Sequence, residues 1–259
     1  HRGIFVRNEL HYLQARIQVA VFNILQEGDI QIRGFKLRLP LDIMFVFTAN
    51  PEDYTNRGSI VTPLKDRIES QIVTHYPKTV AVSRAITAQE ARVPEEQQKR
   101  VEMPELCRML IEEIAMEARK SEYVDQKSGV SARLTISAFE NLMSTAERRA
   151  LREGHEKTTV RVADFIGVIP SITGKIELVY EGEQEGPMNV AYRLIGQGIR
   201  TLFTQYFPDP QSFKKSSREP QNRKTKPAAN PYQPVIDWFG RGNDLLLLQD
   251  ATDEGYREK

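Results

Sequence analysis

The chain has a single cysteine, Cys107, in 259 residues. That excludes an internal disulfide and fits a reducing compartment, and the plain role for such a residue is a small apolar side chain on a helix. An excess of one charge is lacking too: 36 Lys and Arg face 35 Asp and Glu, for a formal net charge of +1. Such balance argues against a strongly electrostatic partner such as bulk duplex DNA. No apolar run approaches the roughly 20 residues of a membrane-spanning helix, and no leader pattern opens the chain. The expected location is therefore the cytoplasm, with no membrane partner. His11, His75 and His155 are scattered, with no carboxylate or Cys at metal-ligating spacing, and read as structural or surface residues. No Ser/His/Asp or Cys/His constellation and no internal repeat is visible.

What is present is a chain long enough to bury a core, with one large or two modest domains as the natural expectation. It starts at His1 rather than Met, and Gly3-Ile4-Phe5-Val6 already reads as the end of a buried strand, so the chain is expected to begin inside a longer protein. Leu13, Ile17, Ala20, Val21, Ile24 and Leu25 recur at helical spacing, and Gly28 stops that helix. Residues 29–39 alternate, with Arg33-Gly34 in the middle, which signals a β-hairpin. Ile43 to Phe47 has the length and composition of a buried strand, and it runs into Thr48-Ala49-Asn50-Pro51. Asn50 thus stands where a parallel strand meets its loop, the edge at which open α/β sheets bind ligands. A polar loop and a short helix over Leu64 to Glu69 follow.

Beyond Pro77 the periods turn helical: 80–92, 104–120 and 136–153. The last has Thr135 as N-cap, a stripe of Phe139, Leu142, Met143 and Ala146, and Gly154 as its stop. A short helix over 160–169 is expected to end near Pro170. Residues 186–207 form an amphipathic helix through Val190, Leu194, Ile195, Ile199, Leu202 and Phe203. Residues 208–234 are rich in Pro, Ser, Asn and Lys and read as a mobile linker. Its basic run reads as solvated rather than as a nucleic-acid site. The tail, Val235 to Phe239 and Leu245 to Leu248, is apolar enough to dock.

Several of these segments, in order, resemble AAA+ ATPases of the magnesium chelatase motor and MoxR groups. Arg2-Gly3-Ile4-Phe5-Val6-Arg7-Asn8-Glu9-Leu10 is similar to the Arg-Gly-strand-Asp-Glu segment of the chelatase subunits. Gln18 to Gly34 resembles the helix and inserted hairpin of MoxR proteins. Thr48-Ala49-Asn50-Pro51, Pro63-Leu64-Lys65-Asp66-Arg67 and Tyr76-Pro77 follow in matching order. The likeness is ordered over residues 2–77 and looser to about residue 170.

The resemblance implies the second half of an α/β core with an inserted hairpin (1–77) and an all-helical lid (78–174); periodicity and composition add an amphipathic helical extension (175–207), the linker (208–234) and a tail (235–259). It implies ATP and Mg²⁺ bound between subunits of a homo-oligomeric ring, a hexamer, and hydrolysis that remodels a partner such as a von Willebrand factor A domain protein. In this pattern Glu9 polarises the attacking water, Asn50 positions it, and Arg67 is the arginine finger, with Arg57 a second candidate. Arg133, in Gly129-Val130-Ser131-Ala132-Arg133, contacts the γ-phosphate. Asn8 stands where an aspartate normally supports Mg²⁺ and is a weaker, neutral ligand.

Each assignment has a plain alternative. Asn8-Glu9 could be a polar strand-to-helix loop, Arg67 could pair with Asp66 or Glu69, and Arg133 could be a surface arginine. Asp125, Asp164 and Glu112-Glu113 read as solvated faces. No Gly-x-x-x-x-Gly-Lys-Ser/Thr phosphate loop occurs in the 259 residues, so the chain by itself is expected not to hydrolyse ATP. Two rival readings follow. One is a non-catalytic scaffold derived from the same core. The other is a DNA-associated regulator of the enhancer-binding type, although no Gly-Ala-Phe-Thr-Gly-Ala loop is present.

Overall fold

A computed structural model of the chain describes residues 2–32, 34–38, 41–50, 59–216, 230–244 and 256. Arg57, residues 217–229 of the expected linker, and Leu245 to Leu248 lie outside the described residues. The chain separates into two compact units, His1–His75 and Tyr76–Lys259.

The first unit runs β1 (Arg2–Arg7), α1 (Ala15–Glu27), β2 (Asp29–Ile32), β3 (Phe35–Arg38), β4 (Asp42–Phe47) and α2 (Thr62–Lys65). β1 and β4 pair in parallel from Arg2 opposite Asp42 to Arg7 opposite Phe47. Parallel partners need a crossover, and α1 with the antiparallel β2–β3 pair supplies it. α1 ends where expected, on Gly28 at φ 63°, a left-handed conformation that glycine adopts without a Cβ penalty.

The burial of this unit differs from expectation. A parallel pair is ordinarily covered on both faces, yet Ile4, Val6 and Met44 are 70%, 60% and 64% exposed. The apolar rows are present in the strands, but burial needs a second layer, which alternation within a strand does not supply. Likewise α1 has an apolar periodicity, but its one buried residue is Gln18. The Gln18 amide donates to the carbonyls of Leu13 (2.8 Å) and Ser59 (3.0 Å), and its oxygen accepts from Val61 N–H at 2.8 Å. A buried amide is tolerated when its donors and acceptor are used in this way. It ties the segment leading into α2 to the side of α1, and α2 packs there through the fully buried Leu64.

The second unit runs α3 (Val80–Glu90), α4 (Glu95–Arg100), β5 (Val101–Glu102), α5 (Glu105–Ala118), α6 (Arg133–Glu153), β6 (Thr158–Thr159), a 3-10 helix (Val162–Val168), α7 (Ile169–Thr173), α8 (Tyr180–Glu185), α9 (Pro187–Tyr206), α10 (Pro210–Ser216) and α11 (Gln233–Gly240). One hydrophobic cluster joins Leu110, Ile111 and Ile114 of α5, Leu134, Phe139 and Leu142 of α6, and Val190, Leu194 and Leu202 of α9. The boundary expected at 174/175 therefore falls inside one core. Gly198 shows how close the packing is: a Cβ there would meet Leu110 and Ile114 side chains at 3.2 Å. Tyr76, next to the Pro77 boundary, belongs to this unit, its ring 5.0 Å from the Arg119 guanidinium.

Further expectations are corrected here. α6 begins at Arg133, not Ile136, and Thr135 is not its N-cap. Ala132 takes that position, while Thr135 is buried in the first turn and donates to Ala132 O at 3.0 Å. The helix expected to end near Pro170 is the 3-10 helix that ends at Val168, and Pro170 then stands in the first turn of α7, where no N–H is needed. Glu112, Glu113 and Asp164 are not on solvated faces: they are 1%, 6% and 5% exposed. α10 lies within the expected linker, and Tyr232 O–H donates to Pro208 O at 2.5 Å, tying its two sides together. In α11 the apolar Val235 and Ile236 are 54% and 53% exposed.

Candidate functional site

Because β1 and β4 run in parallel, their carboxyl ends reach the same edge. Thr48, the residue after β4, organises it. Its N–H donates to Arg7 O at 3.1 Å, and its carbonyl accepts from Leu10 N–H at 2.8 Å. Its hydroxyl accepts from Glu9 N–H at 2.9 Å and donates to Asn8 Oδ1 at 2.5 Å. One hydroxyl, used as donor and acceptor, therefore fixes both residues of the Asn8-Glu9 pair. Asn50 follows two residues later on the same strand end and is exposed.

Glu9 sits at φ 54°, ψ 63°, the only positive φ outside glycine among the described residues. Such a conformation costs on the order of 1–3 kcal/mol and persists where its surroundings enforce it. Here the Thr48 contacts enforce it. The carboxylate lies beside His11, whose side chain is fully buried, with Glu9 Oε2 3.5 Å from His11 Nδ1. That oxygen is buried and has no hydrogen bond. A carboxylate at the carboxyl edge of parallel strands, with one oxygen withheld from water, can polarise a water or accept its proton.

The other sequence-predicted residues lie elsewhere. Arg67 is held against α1: its guanidinium lies 5.6 Å from the Phe22 ring centroid, Nη1 is 3.1 Å from Asp66 Oδ2, and Nε reaches Gln26 Oε1 at 3.5 Å. The Asp66 ion pair, the plain alternative for this residue, is therefore formed. Arg133 is an exposed residue in the first turn of α6, in the second unit, and its backbone N–H donates to Ser131 Oγ at 3.2 Å.

Two contributors escape sequence reasoning, Thr48 and His11. Thr48 falls within the Thr48-Ala49-Asn50-Pro51 motif, and Ser and Thr commonly bond nearby backbone where a strand ends. His11 carries no such signal, since a histidine two residues past a glutamate is uninformative until the backbone turns one toward the other.

Among the described residues no cluster of three His, Cys, Asp or Glu side chains could hold a metal ion. Asn8, Glu9 and Thr48 offer only oxygen, the donor type Mg²⁺ requires, but with one formal negative charge among them. Cys107 serves the core, as expected. It is buried, and burial together with the Asp164 charge pushes its thiol up to about 11. Thiolate is the reactive form, so iodoacetamide at pH 8 should leave Cys107 unmodified in the folded protein and label it fully in denaturant, as read by intact mass.

No family model and no curated protein matches the chain. Among solved structures it is similar to a candidate ATPase from Cytophaga hutchinsonii ATCC 33406, at 17% identity and a TM-score of 0.31. The match covers 74% of this chain and 64% of that one, so the chain spans just under two thirds of that protein's length. Among the described residues no helix is long and apolar enough to cross a membrane.

Proposed function

We propose that these residues form the water-activating part of an AAA+ ATPase of the magnesium chelatase/MoxR type, in a protein that also supplies a phosphate loop. The observation that supports this most is the Thr48 hydroxyl joining Asn8 and Glu9 at the carboxyl edge of the β1–β4 pair. Glu9 takes the role of water activator, and Asn50, on the same strand end, positions the water. Asn8 would support Mg²⁺ through its side-chain oxygen, and the ion when bound neutralises phosphate charge. Arg67 acts on the nucleotide of a neighbouring subunit of a hexameric ring, and Arg133 reads the γ-phosphate. The work of the cycle is remodelling a protein partner, such as one with a von Willebrand factor A domain, in the cytoplasm.

The test is Glu9→Gln in the protein in which these residues are continuous with a phosphate loop. A positioned base contributes about 10²–10⁴ in rate, so kcat for ATP should fall by that factor while the Kd for ATP stays within about twofold. An unchanged kcat removes Glu9 from the chemistry. Asn8 favours a second reading, a scaffold that keeps ring contacts without turnover, because the position lacks the charge that would hold the cation. That reading predicts no ATP turnover in the unsubstituted protein.

A further inference from the structure

Glu112, the more deeply buried of two buried glutamates on α5, has hydroxyls rather than ion-paired cations against its carboxyl. Ser83 Oγ donates to Glu112 Oε2. Thr87 Oγ1 lies 2.6 Å from Glu112 Oε1, 2.8 Å from Thr135 Oγ1 and 3.2 Å from Ser83 O. Thr135 Oγ1 in turn donates to Ala132 O at 3.0 Å. Ser83, Thr87, Glu112 and Thr135 are each 3% exposed or less. None of the ion pairs among the described residues includes Glu112.

The hydrogens can be counted. Each of the three hydroxyls has one. The four closest contacts, Ser83–Glu112, Glu112–Thr87, Thr87–Thr135 and Thr135–Ala132 O, need four. With the carboxyl ionised there are three hydrogens, and one close contact must go without. With it neutral, Glu112 donates to Thr87, Thr87 to Thr135 and Thr135 to Ala132, and only the 3.2 Å contact is left over. A charged carboxylate buried with no ion-pair partner is also the costly alternative.

We propose that Glu112 is a positioning residue held as the neutral acid, and that its donated hydrogen bond starts a chain through Thr87 and Thr135 that pins the first turn of α6. That turn carries Arg133. Control over how Arg133 is presented to nucleotide rests on the reading proposed above; the pinning itself does not. The direction of Glu112's pKa agrees: burial raises it above the ordinary 4.5, against the lowering effects of Ser83 and Thr87 and of the charges of Arg119, just past the end of α5, and Arg84 on α3. Arg84 is paired with Glu105. Arg119 gives Nε to Val130 O and lies over the Tyr76 ring; its Nη2 is buried without a hydrogen bond, and it forms no ion pair with Glu112. α6 contributes only the uncharged Thr135 to the contact.

The sign follows from the raised native value. Stability from this group is fully present below the ordinary carboxyl range and is lost as pH rises through the native value. Glutamine mimics the neutral acid, since its amide can donate to Thr87 while its carbonyl accepts from Ser83.

The experiment compares the 259-residue chain with its Glu112→Gln and Glu112→Ala variants by denaturant unfolding from pH 5 to pH 9, with amide exchange read at 134–136 after correction for intrinsic pH effects. The difference between the parent and Glu112→Gln isolates this group from Glu113, whose pKa is also raised by burial. Expected is an unfolding constant that rises with pH in the parent relative to Glu112→Gln, by about tenfold for each unit of native shift. Exchange at 134–136 should rise alongside it in the parent and stay flat in Glu112→Gln. Glu112→Ala should be the least stable at every pH, or fail to fold, and either result agrees.

Parallel profiles for the parent and Glu112→Gln overturn the proposal, whether glutamine is tolerated or destabilising throughout. The nucleotide reading fails separately: Arg133→Ala leaves these profiles unchanged, and an unaltered ATP Kd for it in the phosphate-loop-containing protein removes Arg133 from the nucleotide while Glu112 stands.

Discussion

If Arg67 is the finger proposed above, Arg67→Ala, made where these residues are joined to a phosphate loop, is expected to lower ATP turnover by about 10³–10⁵-fold, the worth of an arginine finger in nucleotide hydrolysis. ATP affinity should change little, because a finger in that role acts on transition-state charge across a subunit boundary. Stability should change little as well. The Asp66 partner is 75% exposed and the Arg67 side chain 43% exposed, a kind of pair worth about 0–1 kcal/mol. Its stacking over Phe22 adds about 0.5–1 kcal/mol at such a site. The proposed role and the local contacts therefore predict losses of very different size in two separate measurements. Mixing Arg67→Ala with Glu9→Gln subunits should restore part of the activity, since some interfaces then combine an intact finger with an intact Glu9. A variant that melts several degrees lower, keeps its residual turnover per folded molecule and shows no rescue on mixing would reduce Arg67 to its contacts with Asp66 and Phe22.

The largest expected loss of stability is at Arg149. Its guanidinium clasps Asp164 with two bonds, Nε to Oδ1 at 3.1 Å and Nη2 to Oδ2 at 3.0 Å. It also donates to Thr158 Oγ1 at 3.0 Å and Thr159 O at 2.9 Å, so it holds β6 and the 3-10 helix against α6. The pair is nearly closed off, with side chains 13% and 5% exposed. Asp164 Oδ2 accepts the Arg161 N–H at 2.8 Å as well. Removing one partner of a buried pair strands the other charge, at a cost of about 3–5 kcal/mol. Arg149→Met should therefore cost about that much in urea denaturation at neutral pH, with the stem volume kept. Arg149→Met combined with Asp164→Leu should cost less than the sum of the single changes, because no charge is left stranded, although the Arg161 N–H loses its acceptor. Strict additivity, or a single-variant loss below about 1 kcal/mol, would mean that water reaches the pair.

Both arginines were visible as residues, but their environments were not equally legible. Around Arg67 the sequence placed an acidic neighbour at the adjacent position, and that neighbour is the partner. Around Arg149 nothing local announced Asp164, fifteen residues on and read as solvated. The same holds for Glu112. On a helix, a carboxylate read from the sequence looks alike whether it faces water or two hydroxyls brought by another helix. Repeating apolar positions report which face turns inward, but they do not report which polar side chains come inward with them.

By itself the sequence determined what depends on short range. It marked α1 with its Gly28 stop, the strand that became β4, and the α6 stripe of Phe139, Leu142, Met143 and Ala146, all 9% exposed or less and closed by Gly154 at φ 75°. These follow from steric preferences and from periods of two and 3.6 residues, which act within a few residues. It also set Asn8-Glu9 and Asn50 at strand ends, because strand length and composition are local. Only the tertiary structure decided that Thr48 would bind Asn8 and Glu9, that Glu9 would turn left-handed beside a buried histidine, that α9 would close the same core as α5, and that Glu112 would sit dry among hydroxyls. Each of these depends on pairing or packing between segments tens of residues apart, where distance in space is set by the whole fold and a residue's neighbours in sequence carry no record of it.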